Sequence, residues 1–434
     1  MWSQWRERFA VAFLLLVPLS ATVGSSTLNL QWSDLAAFGF LVSSIAITGS
    51  RTPVSPQLRW GVVVYLGSML PSFLNTTHLG SSLLEFGKTA YLIGVGLMLI
   101  RWMTHQPSRQ RGVQVIALTT AILIGGAPVV WLFTSLTGHL PWGWVSIMEV
   151  PNVGQVVRVN ATVSSPALLA NYLTLGVPVL AAYGAARSRR PRAMCWSLLV
   201  AGTLAALTTV SHSVAGVLTA VALLTPHRTR WDRAGRLLVS VLAVGTVVFA
   251  LLSTTVAIPK VQLVHRTPSG EAAVFPSHAF VRPGTAGDML TVNISYAWVS
   301  YGLLKRIAWE AWRAHPWVGN GLDEFPSAVA TAFQEGRIHY PSADPHSTWG
   351  GALAETGLIG VLGLAGFWGV LLGGAREAKR RDMLARDQWQ IRALHAGLVG
   401  LLVNSLHVDI MHFRFLWVGA ALFHTARQAS RAAP

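Results

Sequence analysis

The amino-acid sequence predicts an all-α polytopic membrane protein, and three observations lead to that fold class. First, 52% of the 434 residues are hydrophobic and only 12% are charged, whereas roughly a quarter of an ordinary soluble domain is charged. Second, apolar runs long enough to cross a bilayer recur along the chain. Third, lysines and arginines are concentrated between those runs and not on one soluble module. The net charge of +16 therefore indicates membrane topology, and we expect no nucleic-acid partner.

Twelve transmembrane helices with both termini in the cytoplasm account for nearly all of these charges. Loops rich in lysine and arginine face the cytoplasm, so the basic segments 187–192 and 228–236 are expected inside. The short turn Ser211-His212-Ser213 between them is then expected at the outer face. The predicted helices cover about residues 9–24, 34–49, 60–74, 83–100, 113–133, 167–186, 194–210, 214–225, 237–256, 348–374, 393–408 and 413–426.

These helices divide the chain into three parts. Residues 1–255 carry helices one to nine, residues 256–345 form a large external loop, and residues 346–434 carry helices ten to twelve. Within the loop, the segment 294–314 combines tryptophans with apolar neighbours and is expected to form a helix along the membrane interface. A second short helix is expected at 325–334. The chain has no GxxxxGK[ST] nucleotide-binding motif, and its single cysteine provides no disulfide framework.

His346 is the leading candidate for a reactive group. It follows the turn-like segment 341–345 and directly precedes the tenth helix, at the outer face. An imidazole titrates near neutral pH and can accept the proton of a hydroxyl group. The alternative is a residue near the helix N-terminus that hydrogen-bonds to backbone. A metal site of His339, Asp344 and His346 also stays open, but the spacing matches no strong ligand pattern, and we expect neither metal nor cofactor.

Basic side chains in the external segments are candidates for binding a phosphate-containing substrate. A guanidinium group keeps its charge and contacts phosphate in a bidentate manner. Arg306 lies on the expected interfacial helix. Its alternative role is the ordinary one of an interfacial cation whose apolar stem lies along the membrane, as for Lys305 and Arg313.

Ionisable residues inside the predicted helices form a third group of candidates, because a charge in the membrane interior is costly. Glu85 and Lys88 lie close to one helical turn apart and are expected to pair. Glu355 lies within the tenth helix, where a structural hydrogen bond between helices is favoured over catalysis. Glycines recur every third residue from Gly357 to Gly369 and predict a strip of small residues for helix packing.

Several of these segments together resemble one protein family. His346-Ser347, nine residues and then Gly357-Leu-Ile-Gly360 is similar to the signature of O-antigen ligases and related bacterial polysaccharide polymerases. The segments 306–309 and 315–325 resemble the run that precedes that signature, and 165–173 resembles the family's sixth helix. The resemblance covers roughly residues 166–374, and the predicted helix number and large late loop agree with it.

This resemblance implies a GT-C-like fold and a metal-independent membrane glycosyltransferase. The donor would be a glycan on undecaprenyl pyrophosphate at the periplasmic face of the bacterial inner membrane. In ligases the acceptor is a sugar of the lipid A–core. The resemblance assigns His346 as the base that activates the acceptor hydroxyl. It assigns Arg306 to the donor pyrophosphate, which it stabilises as leaving group.

The chain departs from the family at one position, and two alternatives to a ligase remain open. Where the family has a second arginine, in a Ser-Arg-Gly-like step, this chain has His212. The missing charge could come from Arg158, Arg282 or Arg266 instead. A polymerase of the same family is a close alternative to the ligase. A transporter is the alternative from another class, motivated by the ionisable residues within the helices; most transporter folds carry an internal repeat, and the sequence shows none.

Overall fold

The computed structural model describes most of the chain, and the observations below concern those residues only. The described ranges are 2–19, 31–46, 54–137, 144–150, 154–163, 165–225, 230–252, 256–266, 272–275, 289–299, 301–338, 345–373 and 385–432.

Fourteen α-helices make up most of the described chain. Five of them, α4, α5, α6, α9 and α12, contain stretches that are long and apolar enough to cross a membrane. Three shorter helices, α2, α7 and α8, are also apolar. The helices are α1 (Trp2–Leu16), α2 (Trp32–Ile45), α3 (Pro56–Met69), α4 (Leu79–Met103), α5 (Gln106–Thr137), α6 (Pro166–Ala185), α7 (Pro191–Leu207), α8 (Val214–Leu224), α9 (Arg230–Leu252), α10 (Tyr301–Ala314), α11 (Phe325–Gln334), α12 (Thr348–Leu372), α13 (Ala385–Asn404) and α14 (Arg414–Ala432).

The outward faces of these helices are apolar, as a lipid-facing surface requires. Only 11% of the apolar stretch of α9 is buried within the protein, and Ile122, Val129 and Phe249 are among the exposed large side chains. Such a surface would be a large apolar patch in water. The chain is therefore a multi-pass membrane protein, while the number of twelve spans stays a prediction.

A five-stranded antiparallel sheet corrects the all-α expectation. Its strands are β1 (Val145–Val150), β2 (Gly154–Val159), β3 (Val256–Arg266), β4 (Ala272–Phe275) and β5 (Met289–Val299). They lie in the order β2-β1-β3-β4, and β5 pairs with β3. Hairpin β1–β2 joins α5 to α6, whereas β3, β4 and β5 lie between α9 and α10.

The predicted interfacial helix therefore begins later than expected. Residues 294–299 belong to strand β5, and α10 starts only at Tyr301. Apolar and polar residues alternate from Leu290 to Tyr296, which is the two-residue period of a strand. Strand β5 pairs with β3 over eleven residues, from Met289 opposite Arg266 to Val299 opposite Val256. This long pairing explains why the segment forms a strand and not the start of a helix. The second short helix, Phe325–Gln334, is confirmed.

Helix α12 starts at Thr348 as predicted but is broken at Gly357. Gly357 has φ +63° and ψ −163°, a backbone region that is essentially restricted to glycine. The turn after α10 fills the break: the N–H groups of Leu358 and Ile359 donate to the carbonyls of Pro316 and Trp317, at 2.9 and 3.1 Å. The expected glycine strip is thus only partly a packing surface, since Gly363 meets α3 while Gly366 and Gly369 have no neighbour within 4 Å of a Cβ position.

Three buried helices, α6, α8 and α13, form the centre of the protein. A Cβ atom on Gly400 of α13 would lie 2.4 Å from the carbonyl oxygen of Gly216 in α8, so small residues allow these helices to approach closely. The amide of Asn404, which is fully buried, donates to the Asn171 side chain and to the Ser213 carbonyl, at 2.8 and 2.9 Å. Its oxygen accepts from the Gly216 N–H at 2.8 Å. These bonds fix the turn that contains His212.

Candidate functional site

His346 lies at the entrance of α12 in a constrained conformation. Its φ is +50°, which is uncommon for a residue with a side chain. The next residue, Ser347, is the N-cap of α12, and its hydroxyl accepts a hydrogen bond from the Gly350 N–H at 3.0 Å. The cap is thus supplied by Ser347, and the backbone of His346 turns the chain into the helix.

The start of α12 is attached to the turn that follows α13. The N–H of Thr348 donates to the carbonyl of Ser405 at 3.0 Å, and its hydroxyl donates to the carbonyl of Val408, also at 3.0 Å. The indole of Trp349 donates to the Ser405 hydroxyl at 2.7 Å. These contacts bring His346 close to His407, which lies in the same turn.

His407, in the turn after α13, faces His212, in the turn between α7 and α8. The two rings are perpendicular, with 6.4 Å between their centroids. His407 is only 6% exposed, and neither of its ring nitrogens makes a hydrogen bond of ordinary geometry with the described residues. A buried polar group without a hydrogen-bond partner is costly. We therefore treat His407, together with the adjacent His212, as a candidate site for a polar ligand.

Basic groups from three further segments interact electrostatically with this pair. Burial, followed by the charges of Arg158, Lys305 and His346, lowers the pKa of His212 to about 4. Burial, followed by His212, Lys305 and His346, lowers the pKa of His407 to about 3. Both rings are therefore neutral at pH 7 in the empty site. We call Arg158, His212, Lys305, His346 and His407 the basic cluster.

Two hydrogen-bonded attachments place the permanent cations of the basic cluster. The guanidinium Nε of Arg158 donates to the carbonyl of Thr209 at 3.1 Å, and strand β2 is held there by the adjacent bond from the Val159 N–H to the Thr208 carbonyl. Lys305 is partly buried on α10, and its ammonium group donates to the Ala250 carbonyl of α9 at 3.4 Å. Burial lowers the pKa of Lys305.

The surroundings of Arg306 differ from those of Lys305. The side chain of Arg306 is 72% exposed and forms an ion pair of 3.0 Å with Glu310, one turn further along α10. Glu310 also pairs with Arg337 at 2.5 Å. The assignment of Arg306 to a phosphate group stays a prediction.

The remaining candidates lie partly outside the described residues. Arg282, His339 and Asp344 are outside them, and for Arg266 only the backbone, in β3, is described. The metal alternative that includes His339 and Asp344 is therefore untested.

No protein-family model matches the chain, and no curated protein matches it. The function is therefore argued from the residues of the site and from the resemblance in its sequence motifs.

A second group of ionisable side chains lies beside the basic cluster. The predicted pair of Lys88 and Glu85 is present at 3.1 Å, and Glu85 also contacts Nε2 of His412 at 2.5 Å. The other ring nitrogen of His412 lies 3.2 Å from Asp409. Burial opposes protonation of His412, but Asp409 and Glu85 outweigh it and raise its pKa well above 6.5. Asp409 in turn accepts from the Thr348 hydroxyl at 3.3 Å.

Glu355 and Glu324 fix the turn that fills the break in α12. The carboxylate of Glu355 accepts from the Phe325 N–H at 3.4 Å, in line with the structural role that was favoured for it. The buried carboxylate of Glu324 accepts from the backbone N–H groups of Thr77 and His78, each at 2.7 Å. Burial raises the pKa of Glu324, but the hydrogen bonds from Thr77, His78 and their neighbours prevail and lower it to about 2.

The sequence alone did not identify two members of this site. The sequence favours an interfacial cation at Lys305, whereas the structure places its charge among the groups that lower the pKa of both histidines. His407 was not singled out, because a histidine at the end of an apolar helix has no motif around it. The local signal is that Asn404, Ser405 and His407 place three polar side chains within four residues at the end of α13.

Proposed function

We propose that this protein is an O-antigen ligase-like glycosyltransferase. It moves a glycan from undecaprenyl pyrophosphate to a lipid A–core acceptor at the periplasmic face of the inner membrane. One observation supports this most: the basic cluster gathers two permanent cations and three histidines from five segments at one end of the helices. A pyrophosphate ester is the kind of multiply charged anion for which such a cluster is suited.

The basic cluster would bind the pyrophosphate of the donor. Arg158 and Lys305 contribute charge, since a guanidinium stays protonated and an ammonium contacts phosphate as a point charge. His212 is neutral in the empty site and contributes a ring N–H. The charge absent at position 212 is thus supplied by residues that are distant in sequence. The same groups would stabilise the negative charge that develops on the leaving pyrophosphate.

His346 would act as the general base. The acceptor hydroxyl attacks the anomeric carbon of the donor sugar while His346 takes up the hydroxyl proton. A new glycosidic bond forms, the bond from the anomeric carbon to the phosphate oxygen breaks, and the lipid pyrophosphate leaves with the electron pair. The constrained backbone of His346 and the attached start of α12 keep the imidazole in place, which such a step requires.

The orientation of the site follows from the distribution of charge at the two helix ends. The basic cluster lies at the end opposite to the one with Arg101, Arg109 and Arg187. Basic segments of membrane proteins remain in the cytoplasm. The cluster would therefore face the periplasm, where lipid-linked glycans are available.

The proposal is tested in cells whose only copy of this protein carries His346→Ala or Arg306→Ala. The quantity measured is the amount of glycan attached to their lipopolysaccharide. We expect His346→Ala to reduce glycan transfer at least a hundredfold, since a general base contributes roughly 10²- to 10⁴-fold. A folded His346→Ala variant that still produces full-length capped lipopolysaccharide would exclude this mechanism. The product separates the two family alternatives: loss of a ligase leaves long chains on the lipid carrier, and loss of a polymerase leaves single capped units.

A transporter remains the second candidate because of one structural feature. Helix α12 is interrupted at Gly357, next to Glu355 and the ion pairs of Glu85, and interrupted helices with ionisable groups occur at the binding sites of transporters. Purified protein in vesicles distinguishes the two functions. A transporter moves its substrate without a glycan donor, whereas the proposed enzyme forms product only when donor and acceptor are both present.

A further inference from the structure

The hydroxyl of Thr348 joins the start of α12 to the turn between α13 and α14. It donates to the Val408 carbonyl at 3.0 Å, and it accepts from the Ile410 N–H, also at 3.0 Å. Its oxygen lies 3.3 Å from Oδ1 of Asp409. Thr348 is buried, so water has little access to replace these bonds. The hydroxyl therefore fixes the position of α12 relative to the turn at a point two residues after His346.

The neighbours of Thr348 at the start of α12 have different roles. The Ser347 hydroxyl accepts from the Gly350 N–H, and this bond caps α12 without fixing its place in the bundle. The indole of Trp349 reaches the turn at the Ser405 hydroxyl and supports the attachment. Thr348 extends this attachment to a carboxylate.

The same turn carries His412, and both of its ring nitrogens face carboxylates. Nδ1 lies 3.2 Å from Oδ2 of Asp409, and Nε2 lies 2.5 Å from Oε1 of Glu85 on α4. A neutral imidazole has one N–H, whereas the imidazolium ion has two, so this arrangement favours the charged ring. Burial opposes that charge, but Asp409 and Glu85 prevail and raise the pKa of His412 well above 6.5.

Glu85 completes a continuous chain of contacts between α4 and α12. Its Oε2 accepts from the Lys88 ammonium at 3.1 Å, and its side chain is only 15% exposed. The contacts then run from Glu85 through His412 and Asp409 to Thr348. Removal of one member of a buried ion pair leaves its partner uncompensated, which is strongly unfavourable. The turn is therefore held against α4 more firmly than a surface ion pair would hold it.

We propose that Thr348 and His412 are positioning residues for His346. His412 holds the turn against α4, Asp409 links His412 to Thr348, and Thr348 keeps the start of α12 in place. The imidazole of His346 is thereby kept where it accepts the hydroxyl proton, and a displacement of about 1 Å can reduce a rate roughly a hundredfold. This inference rests on the proposed function, in which His346 is the general base.

The first test compares Thr348→Val with Thr348→Ser in transfer from undecaprenyl pyrophosphate-linked glycan to lipid A–core. Valine has the shape of threonine without the hydroxyl, whereas serine keeps the hydroxyl. We expect Thr348→Val to lower kcat roughly tenfold to a hundredfold with the KM for the donor unchanged, since the donor is bound by other residues. Thr348→Ser should retain most of the kcat of the unsubstituted protein.

Thr356→Val is the matched control. Thr356 is also a buried residue of α12, and its hydroxyl donates to the Ala352 carbonyl of the same helix at 2.6 Å. The control should retain its kcat. Full kcat in folded Thr348→Val would overturn the positioning role, and so would an equal loss in Thr356→Val.

A double-mutant cycle tests whether His412 acts through Thr348. His412→Gln removes the charge that holds Asp409 and Glu85, and we expect it to lower kcat with the donor KM again unchanged. If both residues act along one chain of contacts, the double variant with Thr348→Val loses little more than the weaker single variant. Effects on kcat that multiply in the double variant would overturn the connection between them.

A measurement without any glycan separates the failure of this inference from the failure of the proposed function. Diethyl pyrocarbonate modifies imidazoles, and mass spectrometry gives the rate of modification at His346. We expect this rate to change severalfold in Thr348→Val and in His412→Gln, and to stay the same in Thr348→Ser and Thr356→Val. Where Thr348→Val does not fold, His412→Gln provides the same measurement.

Two outcomes of the modification experiment are decisive. An unchanged rate at His346 in folded Thr348→Val and His412→Gln overturns the positioning role, whatever the activity of these variants. If the unsubstituted protein transfers no glycan, the proposed function fails, and the modification rates alone then decide whether Thr348 and His412 position His346.

Discussion

The rings of His212 and His407 lie perpendicular to each other with their centroids 6.4 Å apart, although the two residues belong to different helix connections. Burial, and after it the neighbouring basic groups, lowers the pKa of both rings and keeps them neutral at pH 7. This relationship makes the basic cluster responsive to charge, because an anion that enters it favours the protonated rings.

The first prediction concerns Lys305 and its neighbour Arg306. We expect Lys305→Met to reduce kcat/KM for glycan transfer tenfold or more, because a charge-assisted hydrogen bond contributes roughly 1.5–3 kcal/mol and about 1.4 kcal/mol corresponds to a factor of ten. Arg313→Met, an exposed cation on the same helix, is the control and should retain activity. Arg306→Met is measured beside them. Full activity of Lys305→Met together with loss in Arg306→Met would assign the phosphate contact to Arg306 instead.

The second prediction concerns the pH dependence of anion binding. In the empty site the pKa of His212 is lowered to about 4, so this ring is neutral at pH 7. A bound pyrophosphate raises that pKa, so binding takes up protons and affinity increases as pH falls from 7 towards 5. Isothermal titration with inorganic pyrophosphate, in buffers of different ionisation enthalpy, measures the proton uptake. His212→Gln should reduce this proton uptake. A pyrophosphate affinity that does not change with pH in the unsubstituted protein would contradict this account.

The same pKa values predict how acid affects stability. An unfolded histidine has a pKa of about 6.5, whereas the folded-state pKa of His212 is about 4 and that of His407 is about 3. The unfolded chain therefore binds more protons than the folded protein below about pH 6.5, and stability falls as pH decreases through that window. Thermal unfolding of the purified protein between pH 7.5 and 5 measures the effect. His407→Phe should make the midpoint of thermal unfolding depend less on pH. A stronger pH dependence of the midpoint in that variant would refute the explanation.

The fourth prediction concerns Asn404. Its side chain is fully buried and bonds to both α6 and α8, so Asn404→Ala removes the shorter hydrogen bond of the Gly216 N–H and the bond to the Asn171 side-chain oxygen. We expect the free energy of unfolding to fall by roughly 2 kcal/mol or more, detected as a lower midpoint of thermal unfolding. Thr246→Ala is the control, since among the described residues the Thr246 hydroxyl bonds to the Leu242 carbonyl of its own helix. Equal stability of the two variants would show that the amide network is dispensable.

The fifth prediction uses the break in α12. Gly357→Ala places a Cβ 2.5 Å from the carbonyl of Trp317, in a backbone conformation that alanine does not adopt, and we expect little folded protein. Gly366→Ala changes a helical glycine with open space around it and should instead stabilise the helix by about 0.5–1 kcal/mol. Size-exclusion chromatography with thermal unfolding compares the two. Normal folding of Gly357→Ala would mean that the break is not required.

The sequence predicted a good part of the helical framework because the required signals are local. The sequence predicts the start of α12 at Thr348 because an apolar run begins directly after a polar turn. It predicts the helix Phe325–Gln334 because turn residues lie at its boundaries. The strands in the external segments were missed. In β5 the alternation from Leu290 to Tyr296 is present, but an aromatic residue such as Trp298 suits an interfacial helix and a strand equally well.

The sequence by itself determined that this is a membrane protein with many apolar helices, and it predicted the pair of Glu85 with Lys88. It also nominated His346 as a reactive group, which stays a prediction. These conclusions depend on composition, periodicity and neighbouring residues, which one chain segment contains. Only the tertiary structure decided that Lys305 and His407 join His346, His212 and Arg158. Those residues come from segments far apart in the chain, and their proximity follows from the close crossing of α8 and α13 at Gly216 and Gly400 and from the bonds of Asn404. No local pattern specifies which helix ends meet, because that choice depends on packing across the whole bundle.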